Sequence, residues 1–175
     1  MPKRIMPARQ SVSLLDIAGY HRDAASSLRL YFSPANPDFV VRFANHSRSE
    51  VAARLADRID ETDMRSALAV MARIEAAFWV DYLQRRDMKK PDPVSIKFRA
   101  LFLAKGKNVS LDNDIWGTWR DCHPSTRPLI SELRTAFHFR HWLAHGRYWK
   151  VGRKYDFQTL YILADGILAS FPLYA

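Results

Sequence analysis

The sequence predicts an all-α fold, a helical bundle with long helices and short extra helical segments. Two observations carry this. Apolar residues recur at mixed three- and four-residue spacings through most of the chain, the period of an amphipathic helix, while strand-like alternation is weak. The periodic stretches are divided by short breaks rich in proline, glycine and asparagine, with no internal repeat, low-complexity run or domain linker. At 175 residues the chain is long enough to bury a core. We expect a basic tail over 1–10 and a single helical domain over 11–175.

SLLDIAGYHRDAASSLRLYF (13–32) supplies the first helix, stopped by the prolines of SPANPDF. DFVVRFANHSRSEVAARLADRIDE (38–61) follows, with a break expected near Asn45–Ser49. Thr62 or Asp63 is expected to cap a third helix, whose pattern runs through Met64, Ala67, Leu68, Met71, Ile74, Phe78 and Tyr82. RRDMKKPDP ends it. SIKFRALFLAKG (95–106) predicts a shorter amphipathic helix closed by Gly106, and NVSLDNDIWGTWRDCHP one or two turns carrying Trp116 and Trp119. A long helix is expected from Ser125 to His145, with Gly146 as its C-terminal cap. RYWKVGRKYDF connects it to a final apolar helix, FQTLYILADGILASF (157–171).

Composition narrows the function classes. Apolar residues at 48% and charged residues at 26% argue against wholesale disorder. A net charge of +9 and a pI near 9.9 favour a polyanionic partner, nucleic acid or an acidic protein, through field steering and counterion release. Cys122 is the single cysteine, so no intramolecular disulfide is available. The basic start, MPKRIMPARQ, lacks the apolar run of a signal peptide, and no stretch approaches the ~20 apolar residues of a membrane span. A soluble cytoplasmic protein with no membrane partner is the expectation.

The chemistry-bearing residues concentrate in FRHWLAHGRYW (139–149). At 3.6 residues per turn, Arg134, His138, His141 and His145 share one stripe roughly 60° wide. Ile130, Leu133, Phe137 and Ala144 form an apolar arc beside it, and Arg140 projects from within that arc. A buried guanidinium needs a partner. Glu75, set among Met71, Ile74, Phe78 and Tyr82 on the third helix, offers one, so a hydrogen-bonded pair between helices is expected. In the alternative reading both side chains lie at core edges and reach water along their stems.

His145 falls in the last turn, where the carbonyl end of a helix suits a cationic ring. Imidazole is the side chain that moves protons near neutral pH, as general acid–base catalysis requires. With Arg140 or Arg147 holding a phosphate, the set suits attack on a phosphodiester. A zinc reading would use His141 and His145, at i and i+4, with His138 and with Cys122 or His123. The chain has no HExxH, no paired cysteines, and no glycine pattern of the phosphate-loop or dinucleotide type; neither a metal nor a cofactor is expected. After the helix, Arg147, Lys150, Arg153 and Lys154 alternate with Tyr148, Trp149 and Tyr155. Cations for phosphates with aromatic faces for unstacked bases suit single-stranded RNA. The alternative is a solvated loop whose Trp149 packs on the bundle.

At these residues the chain resembles the HEPN superfamily of small helical bundles, many of them RNA-cleaving toxins or defence proteins. The signature of that family is an arginine, often followed by a polar residue, and a histidine beyond four to six intervening residues. Here it reads RHWLAH, Arg140 to His145 with polar His141 second, followed by glycine as in many members. Motif and helical order together cover residues 62–171; the first 60 residues carry no family signal. The resemblance implies an HEPN-like bundle and a homodimer whose two motifs form a composite cleft. It implies metal-independent cleavage of RNA, in which the ribose 2′-hydroxyl attacks the adjacent phosphate to leave a 2′,3′-cyclic phosphate and a 5′-hydroxyl. His145 would be the general acid–base, Arg140 the phosphate stabiliser or motif organiser, and His141 the positioning group, with His138 and His141 able to face a partner chain. An antitoxin or other regulatory protein is a further partner of such proteins. Glu75 comes from the helical pattern, not from the motif. The rival reading is a non-catalytic module of the same kind that binds RNA, a nucleotide or a partner protein.

Overall fold

The computed structural model describes residues 12–174; the basic tail expected at 1–10 lies outside them. Among the described residues all regular structure is helical. Seven α-helices follow in order: α1 (Leu14–Tyr31), α2 (Phe39–Arg42), α3 (Arg48–Met88), α4 (Pro93–Lys105), α5 (Gly117–Cys122), α6 (Arg127–Ala144) and α7 (Phe157–Ser170). Short 3₁₀ turns at Gly106–Asn108 and Pro124–Thr126 and a π-helical turn at Leu111–Trp116 join the middle elements.

Local chemistry explains most boundaries. Ser13 caps α1 and Ser47 caps α3, each in a reciprocal box with the carboxylate three residues on, Asp16 and Glu50. Ser47 thereby restarts the helix after the break expected near Asn45–Ser49. Asp92 accepts from the Ser95 backbone N–H at 3.0 Å, so α4 starts at Pro93, two residues before its expected beginning. Asp156 caps α7 by accepting from the Thr159 N–H at 2.7 Å. Gly106 closes α4 with φ of 57°.

The expected cap at Thr62 or Asp63 does not form. α3 runs unbroken for 41 residues, about 60 Å of helix. The Thr62 hydroxyl donates to the Arg58 carbonyl at 2.8 Å, back along the helix instead of forward to a free N–H. Nothing at this point removes a backbone hydrogen bond, and Arg65 pairs with Glu61 across it at 3.0 Å.

The core gathers on the C-terminal half of α3. Ala67, Val70, Met71, Ile74, Phe78 and Tyr82 bury one face there, meeting α1, α4, α6 and α7. Phe78 meets Trp116 and Phe171 edge-on, with ring centroids 6.0 and 5.3 Å away. Trp116 and Trp119, expected in one or two turns, are among the largest fully buried side chains. The same face of α3 carries two charges: Asp81 is fully buried and Arg85 nearly so. Arg85 donates to Asp81 at 2.7 Å, to Asp92 at 3.0 Å and to the Pro172 carbonyl at 2.7 Å. Asp81 also accepts from the Trp119 indole at 3.2 Å and from the Tyr174 backbone N–H at 3.0 Å. This network ties the segment after α7 to the central helix.

Candidate functional site

α6 lays Ile130, Leu133, Ala136, Phe139, Trp142 and Leu143 against the core. Phe137, expected within the apolar arc, is only half-buried, and Ala144 is exposed; the buried arc is centred further round the helix, on the side away from the histidines. His138, His141 and His145 are all exposed on the opposite side. The sequence places these three rings on one stripe, and the structure leaves that stripe open to solvent.

Arg140 points the other way, toward α3. Its Nη2 donates to Glu75 Oε2 at 2.7 Å, with each side chain about three-quarters buried. Two misplaced charges, 65 residues apart, therefore meet. The expected hydrogen bond between helices forms, and it does so at the margin of the core, where the two side chains keep about a quarter of their surface exposed. Arg140 Nε is enclosed without an acceptor among the described residues, so the guanidinium is packed as well as paired.

The end of α6 is built with unusual care. The His145 N–H donates to the His141 carbonyl at 3.0 Å. Gly146 follows with φ of 83° and Arg147 with φ of 61°. The Arg147 N–H reaches back to the Trp142 carbonyl at 3.1 Å, the six-to-one bond of a Schellman closure. Gly146 is thus the cap residue its position predicts; a left-handed arginine after it costs energy and needs restraint. Two contacts supply it. The Trp142 indole donates to the Trp149 carbonyl at 2.7 Å. The Arg147 guanidinium forks onto Glu61 at 2.7 and 3.2 Å.

That fork shifts both partners. The hydrogen bond from Arg147 holds the Glu61 carboxyl below its ordinary value, against an opposing effect of burial. The Glu61 carboxylate in turn raises Arg147. With the turn fixed, the rings of His141 and His145 stand 4.6 Å apart between centroids, and Trp149 lies 6.5 Å from His145. The arrangement offers two neighbouring imidazoles to solvent, beside an indole.

The basic segment divides. Tyr148 is 82% exposed, Trp149 sits at 37%, and Lys150 is exposed. Lys154 lies over the Trp142 ring at 5.5 Å. Arg147 and Arg153 are engaged by carboxylates, Glu61 and Glu132. Tyr155 is buried, so it offers no open aromatic face. Its hydroxyl donates to Glu132 at 3.0 Å, and burial followed by that hydrogen bond pushes the phenol up to about 12.

Among the described residues no three His, Cys, Asp or Glu side chains gather closely enough to hold a metal ion. His123 instead lies against Trp119, with ring centroids 5.0 Å apart. No described helix is long and apolar enough to cross a membrane.

Glu61 and Glu132 escaped sequence reasoning, because their arginines lie far away in the chain and no local pattern links them. Asp81 and Arg85 were missed as well, although a signal was there: they continue the spacing of Ala77, Phe78 and Tyr82 on the buried face. Comparison with family models, curated proteins and solved structures returns no match for this chain.

Proposed function

We propose that the chain is a metal-independent endoribonuclease of toxin or phage-defence type, acting as a homodimer with a composite cleft. The observation that carries this reading is the paired imidazoles of His141 and His145 at 4.6 Å, exposed at the end of α6, which four backbone and side-chain contacts hold. Support comes also from Arg140, anchored on Glu75 as a motif organiser, and from the net charge of +9.

In this mechanism His145 takes the proton of a ribose 2′-hydroxyl. The 2′-oxygen attacks the adjacent phosphorus, and the bond from phosphorus to the 5′-oxygen breaks. The leaving 5′-oxygen takes a proton from His141 or from the His145 of the second copy. The products are a 2′,3′-cyclic phosphate and a 5′-hydroxyl. His138, on the same stripe, faces the second copy, and Tyr148, Trp149, Lys150 and Lys154 track the RNA strand. An antitoxin or other regulatory protein would cover the same histidine face.

One observation favours a second reading, a non-catalytic module that binds RNA, a nucleotide or a partner protein. Arg140, Arg147 and Arg153 are all occupied by carboxylates, which lowers the positive field available to a transition state. Incubation with total RNA in excess EDTA, beside a His145→Ala variant, separates the readings. Cyclic-phosphate ends made only by the parent support the nuclease. Intact RNA with both proteins supports the module, and cleavage abolished by EDTA sinks the metal-independent mechanism.

A further inference from the structure

Residues 28–65 build a feature that the histidine face does not use. α1, α2 and the N-terminal half of α3 enclose an open cavity of about 840 Å³, within the size range of sites for small organic ligands. Its walls differ in chemistry. Tyr31, Phe32 and Phe43 supply aromatic surface, and Arg42, Arg54, Arg58 and Arg65 supply cations.

The charges are unbalanced. Four arginines face two carboxylates, Asp57 and Glu61, and Glu61 is already bound by Arg65 and Arg147. Arg42 pairs with Asp38 at 3.3 Å and lies over the Tyr31 ring at 4.0 Å, closing one end. Arg54 and Arg58 are exposed, and among the described residues their guanidiniums make no hydrogen bond or salt bridge; Arg54 lies in the field of Glu50. Being four residues apart on α3, they project on one face, about 6 Å apart at their Cβ atoms. That spacing lets two forks close on one phosphate.

We propose that this cavity binds a nucleotide unit, its phosphate held by Arg54 and Arg58 and its base against Tyr31, the aromatic side chain of the wall that stays 44% exposed. Asp57 is the acceptor left for a base amino group or a ribose hydroxyl. A bare anion would leave the aromatic wall and Asp57 unused, and an uncharged aromatic would leave the two arginines unused. Glu61 both lines the cavity and clamps Arg147, so the site adjoins the turn that carries His145. The proposal does not depend on cleavage, and its test reads binding alone.

Calorimetric titration at fixed, near-physiological salt would use three probes: ADP, a fully 2′-O-methylated RNA octamer that cannot be cleaved by 2′-hydroxyl attack, and inorganic phosphate. The parent is expected to bind ADP or the octamer and to bind phosphate at least tenfold more weakly. Arg54→Ala with Arg58→Ala, both on the exposed surface, is expected to weaken binding by about a hundredfold, two charge-assisted contacts being lost. Tyr31→Ala is expected to weaken the nucleotide probes and leave phosphate unchanged. Tight ADP would identify a free nucleotide as the source of the unit, and an octamer binding much more tightly than ADP would identify an RNA chain. Phosphate binding as tightly as both, or nucleotide binding indifferent to the double substitution, would overturn the proposal, as would no binding by any probe.

Discussion

Arg147 of the turn after α6 forks onto Glu61 of α3, with Nη1 2.7 Å from Oε2 and Nη2 3.2 Å from Oε1. The residues are 86 positions apart. The contact ties the backbone that carries His145 to the middle of the central helix, and it sets a pH dependence. The Glu61 carboxyl is held below its ordinary 4.5, chiefly by the Arg147 hydrogen bond. A carboxylate with a lowered folded value stabilises the fold fully above its unfolded value and loses that contribution as the pH falls through the folded one. Both partners are about one-third exposed, so screening limits the pair to about 1 kcal/mol. Urea unfolding of the parent and of Glu61→Gln should show a constant stability gap above about pH 5 that closes as pH falls below about 4. A gap independent of pH would show that the fork contributes nothing to this dependence.

Arg147 also adopts φ of 61°, a conformation in which a side chain costs about 1–2 kcal/mol and glycine almost nothing. Arg147→Ala loses the fork and keeps the strained backbone; Arg147→Gly loses the fork and relieves it. The glycine variant should therefore be the more stable of the two by about 1 kcal/mol. Equal thermal midpoints would mean that the turn relaxes in the alanine protein.

The Glu75–Arg140 contact joins two helices at the core margin. A double-mutant cycle of Glu75→Ala and Arg140→Ala should return a coupling energy of about 1 kcal/mol. If the pair positions the motif for catalysis, Glu75→Ala should also lower kcat by about tenfold to a hundredfold with a smaller change in KM. Additive stabilities would show that the two charges are held independently.

Among the described residues Asp81 and Arg85 are the most buried charges. Asp81→Ala removes one of the two carboxylates that meet Arg85 and leaves the Trp119 indole and the Tyr174 N–H without their acceptor, and should destabilise the protein by about 3 kcal/mol. Arg85→Ala frees the contact to the Pro172 carbonyl and should also change the emission of Trp119, whose indole donates to Asp81. A parent-like unfolding midpoint for Asp81→Ala would contradict a role for the network in stability.

The helical class, the order of most elements, the Ser47 restart, the Gly146 cap and the open histidine stripe follow from local patterns, because helix period, capping and left-handed glycine act within a few residues. The meeting of Glu75 with Arg140 was legible for a related reason: each charge sits where its own helix should be apolar, and such charges seek each other. The continuity of α3 through Thr62 was not legible, because a threonine hydroxyl can cap forward or bond backward and only the packing of α1 along α3 decides between them. The partners of Arg147 and Arg153 were equally hidden. A sequence marks a cation but not the distant carboxylate that meets it, and that pairing, with the enclosure of the α1–α2–α3 cavity, is decided by how the helices pack.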